Sequence, residues 1–348
     1  PFKIVRTQNN SVSMAGAARD ALAQVDTSDA FAVQRMVNAF ASSLGANKTD
    51  DSVRTRELLV DTLTASAAAV LASATSSRSD LSEAEELVVA EAVSGIVSSM
   101  AAVTGAADQL SPRAMDEGIS LLANLGNVGL RAEDAASAAA SISNLLSATA
   151  TSFSVAPEST TEGDGAAPDG GEPISDETTP RDTSQNQEER QQAQRRAERE
   201  AAERGERLLS ILENVAVAST KGGAAGDPVV IETDQFALAA QTASSEELET
   251  EGLVAGDNKV DLPAGALASS LGSTTAQVVK WTGAGPHFWA GNTLGNRGEG
   301  SRRRVQEQLE CTVDEACYIG TAVLATNALT VNFFREDGSK LAVNGLSS

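Results

Sequence analysis

The chain has 348 residues and carries 48 acidic against 26 basic side chains, a formal net charge of −22. That excess argues against a general nucleic-acid binder, whose affinity comes from Lys and Arg on phosphates, and against adsorption to anionic membrane surfaces. A single histidine, His287, excludes sites that need two imidazoles, and two cysteines exclude four-cysteine zinc clusters. Aromatic residues make up only 3%, so a core here is built from Ala, Leu and Val. No run approaches 18 apolar residues, and no direct membrane insertion of this segment is expected. The opening Pro1-Phe-Lys-Ile-Val-Arg has neither Met nor a signal-peptide h-region, which leads us to expect a piece of something longer.

Residues 1–153 are rich in Ala, Leu, Val, Met and Ser, with apolar residues at helical spacing. Phe31, Val33, Met36, Val37, Phe40 and Leu44 form one stripe, opened by Thr27-Ser-Asp29 and closed by Gly45. A second helix is predicted from Asp50 or Asp51 to about Leu71. A third follows the N-cap chemistry of Asp80-Leu-Ser-Glu83, with Leu87, Val88, Val93, Ile96, Val97 and Met100 on its apolar face. Ser111-Pro112 opens a fourth, and Glu133 to Leu146 supplies a fifth. Short connections favour antiparallel neighbours, so a helical bundle is predicted.

Residues 154–187 hold four of the nine prolines and eight acids against one arginine. Such a segment cannot bury enough apolar surface to offset its ordering entropy, which predicts a disordered acidic linker. Residues 188–221 read as a charged helix whose last two turns dock on the bundle through Leu208, Leu209, Ile211, Leu212 and Val215. Arg190, Arg195, Arg196, Arg199, Arg204 and Arg207 interleave with glutamates there. A solvated helix is the simpler reading than a nucleic-acid arm.

From residue 222 to 348 the texture turns to short β-branched runs. Strands are predicted at Val229–Thr233, Phe236–Ala239, Lys259–Pro263, Ala276–Trp281, Ile319–Ala325, Ala328–Phe334 and Lys340–Val343. Glu336-Asp-Gly338 between the last two is a hairpin signal. The predicted fold class is α+β: an antiparallel helical bundle, then an antiparallel β-sandwich incomplete at its C-terminus, with the acidic linker inserted.

No catalytic constellation emerges, and no cofactor or metal site is expected. His287 has no nucleophile motif beside it and reads as a turn histidine. Gly222-Gly-Ala-Ala-Gly226 precedes a strand and lacks the Lys-Ser/Thr of a phosphate loop, so it reads as a hinge. The acids of Pro157 to Asp182 lack EF-hand ligand spacing. Arg302-Arg-Arg304 is either a processing site or a solubilising loop. Cys311 and Cys317 enclose five residues, the wrong gap for a Cys-x-x-Cys redox pair. A disulfide closing a small loop and two independent reduced thiols are both open readings. The bridge would place the chain in an oxidising compartment, and the sequons at Asn9 and Asn47 agree with that as candidate glycosylation sites.

The segment Val229-Val-Ile-Glu-Thr-Asp-Gln-Phe-Ala-Leu-Ala resembles the strand that opens the β-rich part of polycystin-like and egg-jelly-receptor-like ectodomains. Val260-Asp-Leu-Pro is similar to a later strand of the same region. Val278-Val-Lys-Trp followed by Gly285-Pro-His-Phe-Trp resembles the strand leading into an Asn-Pro-Phe segment, with Gly285 in place of Asn and His287 inserted. The stretch from Ala328 to Leu346 resembles the strand and turn upstream of the proteolysis site. The Ala/Leu helices before it are similar to the helical subdomain of the autoproteolysis-inducing (GAIN) domain.

The resemblance implies an extracellular part of a large membrane receptor or channel-associated protein, on the plasma or ciliary membrane, serving adhesion, mechanical or ciliary signalling. Its partners would be proteins: other segments of the same parent or a channel subunit. The His-Leu-Ser/Thr at which such proteins cut themselves does not occur here, so no cleavage residue is carried over. A helical scaffold or filament-associated protein is the alternative. Neither reading is an enzyme.

Overall fold

The computed structural model describes residues 13–45, 48–76, 82–128, 130–154, 181–221, 226–255, 258–260, 267, 273–282, 329–335 and 339–340. The chain is α+β: among these residues it is mostly helical, with a small four-stranded antiparallel sheet. The helices are α1 (Met14–Leu22), α2 (Ala30–Ser43), α3 (Asp50–Ser76), α4 (Glu83–Thr104), α5 (Pro112–Val128), α6 (Ala135–Ser154), α7 (Arg181–Ser219) and α8 (Ser245–Glu251).

The caps are the ones the sequence signals. Asp29 accepts from the Ala32 amide at the start of α2. Ser82 and Glu85 form a reciprocal capping box on α4, and Ser111 accepts from Ala114 ahead of Pro112 on α5. The short α1 is held differently. Ser13 caps Gly16, while the Met14 and Ala15 amides donate to the Asp51 carboxylate at 2.6 and 3.2 Å. Asp51 itself lies in the first turn of α3.

One apolar core runs through α1 to α7, with Val33, Leu59, Ile96, Met115, Ile142 and Val215 fully buried in it. Alanine and leucine dominate it, and a glycine matters there by the side chain it admits. A Cβ on Gly95 of α4 would collide with Gln34 Oε1, and Gln34 Nε2 donates to the Ala92 carbonyl at 2.8 Å. Arg56 of α3 is buried too. It donates to the Val103 carbonyl near the end of α4 and, at 3.1 Å, to Gln109 Oε1, while Gln109 Nε2 reaches the Gly45 carbonyl at 2.9 Å. Burial pulls the guanidinium below its ordinary pKa, and nearby Asp108 opposes that shift.

The sheet has strand order β1 (Val229–Glu232), β2 (Phe236–Ser244), β5 (Ser273–Trp281), β6 (Leu329–Phe334), all antiparallel. A separate two-stranded ribbon joins β3 (Leu253–Ala255) to β4 (Asn258–Val260). The register pairs Phe236 with Trp281 and Leu238 with Val279. Strand alternation then divides the sheet's two faces. Phe236, Leu238, Ala240, Val279 and Trp281 belong to the helical core. Ala239, Ala243, Ala276, Val278 and Phe333 form a second core with Leu248 of α8 and Leu267. Both faces of the sheet are therefore covered.

Several expectations change. Leu87 and Val88, placed on the apolar face of the third helix, are 51% and 54% exposed, and Phe31 is 42% exposed. The buried residues of α4 begin only at Ala92. The charged helix begins at Arg181, inside the segment expected to be linker, and its inward face is buried from Ala201 onward rather than only over its last two turns. α3 and α4 are long and apolar enough, by length and composition, to cross a membrane, although the sequence contains no unbroken apolar run of that size. In this fold their Leu59, Leu63, Ile96 and Met100 are fully buried against other helices. Lys340 pairs with Phe334 across the expected turn at 336–338, whose own residues lie outside the described ones, as do 155–180 and the strand expected at Ile319–Ala325.

Candidate functional site

Cys311, Cys317, Asn9, Asn47 and His287 all lie outside the described residues, so the structure brings none of them together. Among the described residues, no group of three or more His, Cys, Asp or Glu side chains is placed to hold a metal ion. The described residues instead concentrate charge chemistry along one seam, where α5 lies between α3 and α7.

On the α3 side, Arg113 of α5 reaches three carboxylates. It contacts Glu57 Oε1 at 3.3 Å, Asp61 Oδ2 at 3.2 Å and Glu117 Oε1 at 2.9 Å. Ser111 Oγ adds a hydrogen bond to the other Glu57 oxygen at 3.1 Å. Three acids on one arginine leave excess negative charge, and the carboxyls respond unequally. Burial, the Glu117 hydrogen bond and the negative charge of Glu117 push the Asp61 carboxyl up to about 7, with Glu57 adding and Arg113 opposing. The Asp61 hydrogen bond holds Glu117 below its ordinary value, helped by Arg113. Asp61 Oδ1 is buried and receives no hydrogen bond as an ionised carboxylate.

On the α7 side, Arg204 donates twice to Asp116, at 2.7 and 3.0 Å, with only 9% of its side chain exposed. The Asp116 bond raises the guanidinium pKa and outweighs the opposing effect of burial. Arg207 donates to Ser120 Oγ at 2.7 Å. Arg113, Asp116, Glu117, Glu200, Glu203, Arg204 and Arg207, with Pro112, line an open groove of about 650 Å³ between the two helices. Its open shape and the mixed charge of its arginines and carboxylates suit it to electrostatic contact rather than to enclosing a small molecule.

The sequence predicts a solvated helix whose last two turns dock on the bundle, and the burial of Arg204, ahead of those turns, corrects it. Its helix position, four residues before Leu208, puts it on the apolar face. The sequence carried half of the signal: Arg113 with Glu117, and Glu57 with Asp61, sit at i, i+4. Which helix each pair would face was not readable, since Asp116 and Arg204 are 88 residues apart.

The chain matches no known protein-family model and shows no significant similarity to a curated protein.

Proposed function

We propose that this chain is a non-enzymatic extracellular module of a polycystin-like membrane receptor or channel-associated protein, with a helical bundle packed on an antiparallel β-sandwich. Its task is to hold a downstream segment in a sheet whose strand stability governs release in adhesive or mechanical signalling, through contacts with other segments of its parent or a channel subunit. The observation that supports this reading is the common core of helices and sheet. Leu212 and Val215 of α7 share one buried cluster with Phe236, Leu238 and Trp281. Load on the strands would thus be passed to the helices through packed side chains rather than through a linker. The sheet edge is also fastened: Trp281 Nε1 donates to Thr330 Oγ1 at 3.1 Å, and Asn332 Nδ2 to Gln277 Oε1 at 3.1 Å.

The test is to secrete the chain from cultured eukaryotic cells and weigh it intact, before and after thiol alkylation without reductant. Extracellular residence predicts glycan on Asn9 or Asn47, a Cys311–Cys317 bridge that leaves the protein two hydrogens lighter than its reduced form, and no self-cleavage. Alkylatable thiols and bare sequons would overturn the reading and favour the helical scaffold.

A further inference from the structure

The Asp61 oxygen without a donor has a chemical remedy within reach. Oδ2 already accepts from Arg113, so the buried Oδ1 is the atom left to carry a hydrogen. Glu117, across the α3–α5 contact, sits on the same Arg113 guanidinium as Asp61, at 2.9 Å against 3.2 Å, which brings the two carboxyls side by side; Glu117, held below its ordinary pKa, carries the charge to accept it. We propose that Asp61 and Glu117 share one proton at neutral pH and below, forming a carboxyl–carboxylate latch between α3 and α5 that opens as the solution becomes alkaline.

With the proton present, the cluster holds two negative charges, on Glu57 and Glu117, against Arg113. When it leaves, a third carboxylate faces the same guanidinium, and Asp61 Oδ1 becomes a buried anion without a donor. The charged groups acting on Asp61 are Glu117 and Arg113 from α5 and Glu57 from its own helix. From α7, Arg204, Arg207, Glu200 and Glu203 face Arg113 and Glu117 across the groove. The latch therefore lies at the root of the surface that seats α7, since Asp116 and Ser120 of the same helix hold Arg204 and Arg207.

The sign follows from linkage. A carboxyl raised in the folded state gives stability that is greatest at acidic pH, is lost as pH rises through its folded value and levels off above it. For Asp61 that window lies between the ordinary value of 3.8 and about 7. Depressed groups such as Glu117 act in the opposite sense and at lower pH.

The experiment is a carbon-13 NMR titration of the Asp side-chain carboxyls in the full chain, with the Asp61 resonance assigned from its loss in D61N. The expected result is one aspartate titrating near neutrality, and in E117Q the same resonance shifting its midpoint downward. Melting between pH 5.5 and 8 gives a second reading that needs no assignment. The wild type should lose melting temperature as pH rises, while D61N, which keeps a hydrogen-bond donor for Glu117 but cannot ionise, should stay flatter. An Asp61 midpoint near 4, or one unmoved in E117Q, would overturn the latch.

Discussion

Leu212→Ala tests whether helices and sheet form one cooperative unit. Leu212 is 1% exposed, belongs to the cluster that includes Phe236 and Trp281, and its carbonyl accepts from Gln277 Nε2 of the sheet at 3.5 Å. Truncating a buried leucine costs about 2–5 kcal/mol, from lost transfer energy plus the residual cavity. Ala216, one turn on along the same helix face, is too small to fill the space, so we expect about 3 kcal/mol. For a unit of this size that is a melting shift of roughly 6–12 °C. The assay uses two probes in a Trp289→Phe background: helical circular dichroism for α1–α7, and Trp281 fluorescence for the sheet. Trp281 stacks edge-on against Phe236 at 5.6 Å, so its emission reports on β2–β5 packing. Both signals should melt together and move together in the variant. Two separated transitions, or a shift seen by one probe alone, would refute the shared-core argument and the load path built on it.

Gly95→Ala should lose about 1–3 kcal/mol in urea melts, because the new methyl collides with a buried Gln34. Adding Gln34→Ala should recover part of it, since the clash partner is then gone. Arg204→Ala should cost about 1–2 kcal/mol, less than a fully buried pair because Asp116 is half exposed. Arg196→Ala on the same helix, paired to Glu200 in solvent, should stay within about 0.5 kcal/mol by the same measurement. Ser82→Ala should remove about 1 kcal/mol by breaking the α4 capping box, and Ser82→Gly only a few tenths.

Local chemistry carried the helix starts into the sequence: Asp29, Ser82 and Ser111 are caps whose partners lie within three residues. Periodicity also showed which face of each helix is apolar, as Leu59, Ile96, Leu122 and Ile142 illustrate. It could not show how far along a helix its neighbours extend, so Leu87 and Val88 had the right phase and the wrong burial. Two elements escaped for opposite reasons. α1 buries only Ala15, Ala18 and Leu22, too little for a stripe, while α8 is seven residues long with four acids and one buried leucine, too short for periodicity to show although it carries a Ser244–Glu247 capping box. The acid–arginine seam was invisible because its partners meet through tertiary packing at separations of 52 and 88 residues.

The Asp51 carboxylate sits at two helix beginnings at once, among the first-turn residues of α3 and on the opening amides of α1. Helix beginnings carry partial positive charge, so one anion serves two of them. A nine-residue helix with no acid of its own in the first turn is too short to persist alone in water. α1 is thus expected to borrow its order from α3 and to detach before the rest of the helices unfold. Amide hydrogen exchange at Met14 and Ala15 then becomes a local gauge of one carboxylate, accelerating in Asp51→Ala while amides in the middle of α4 keep their protection.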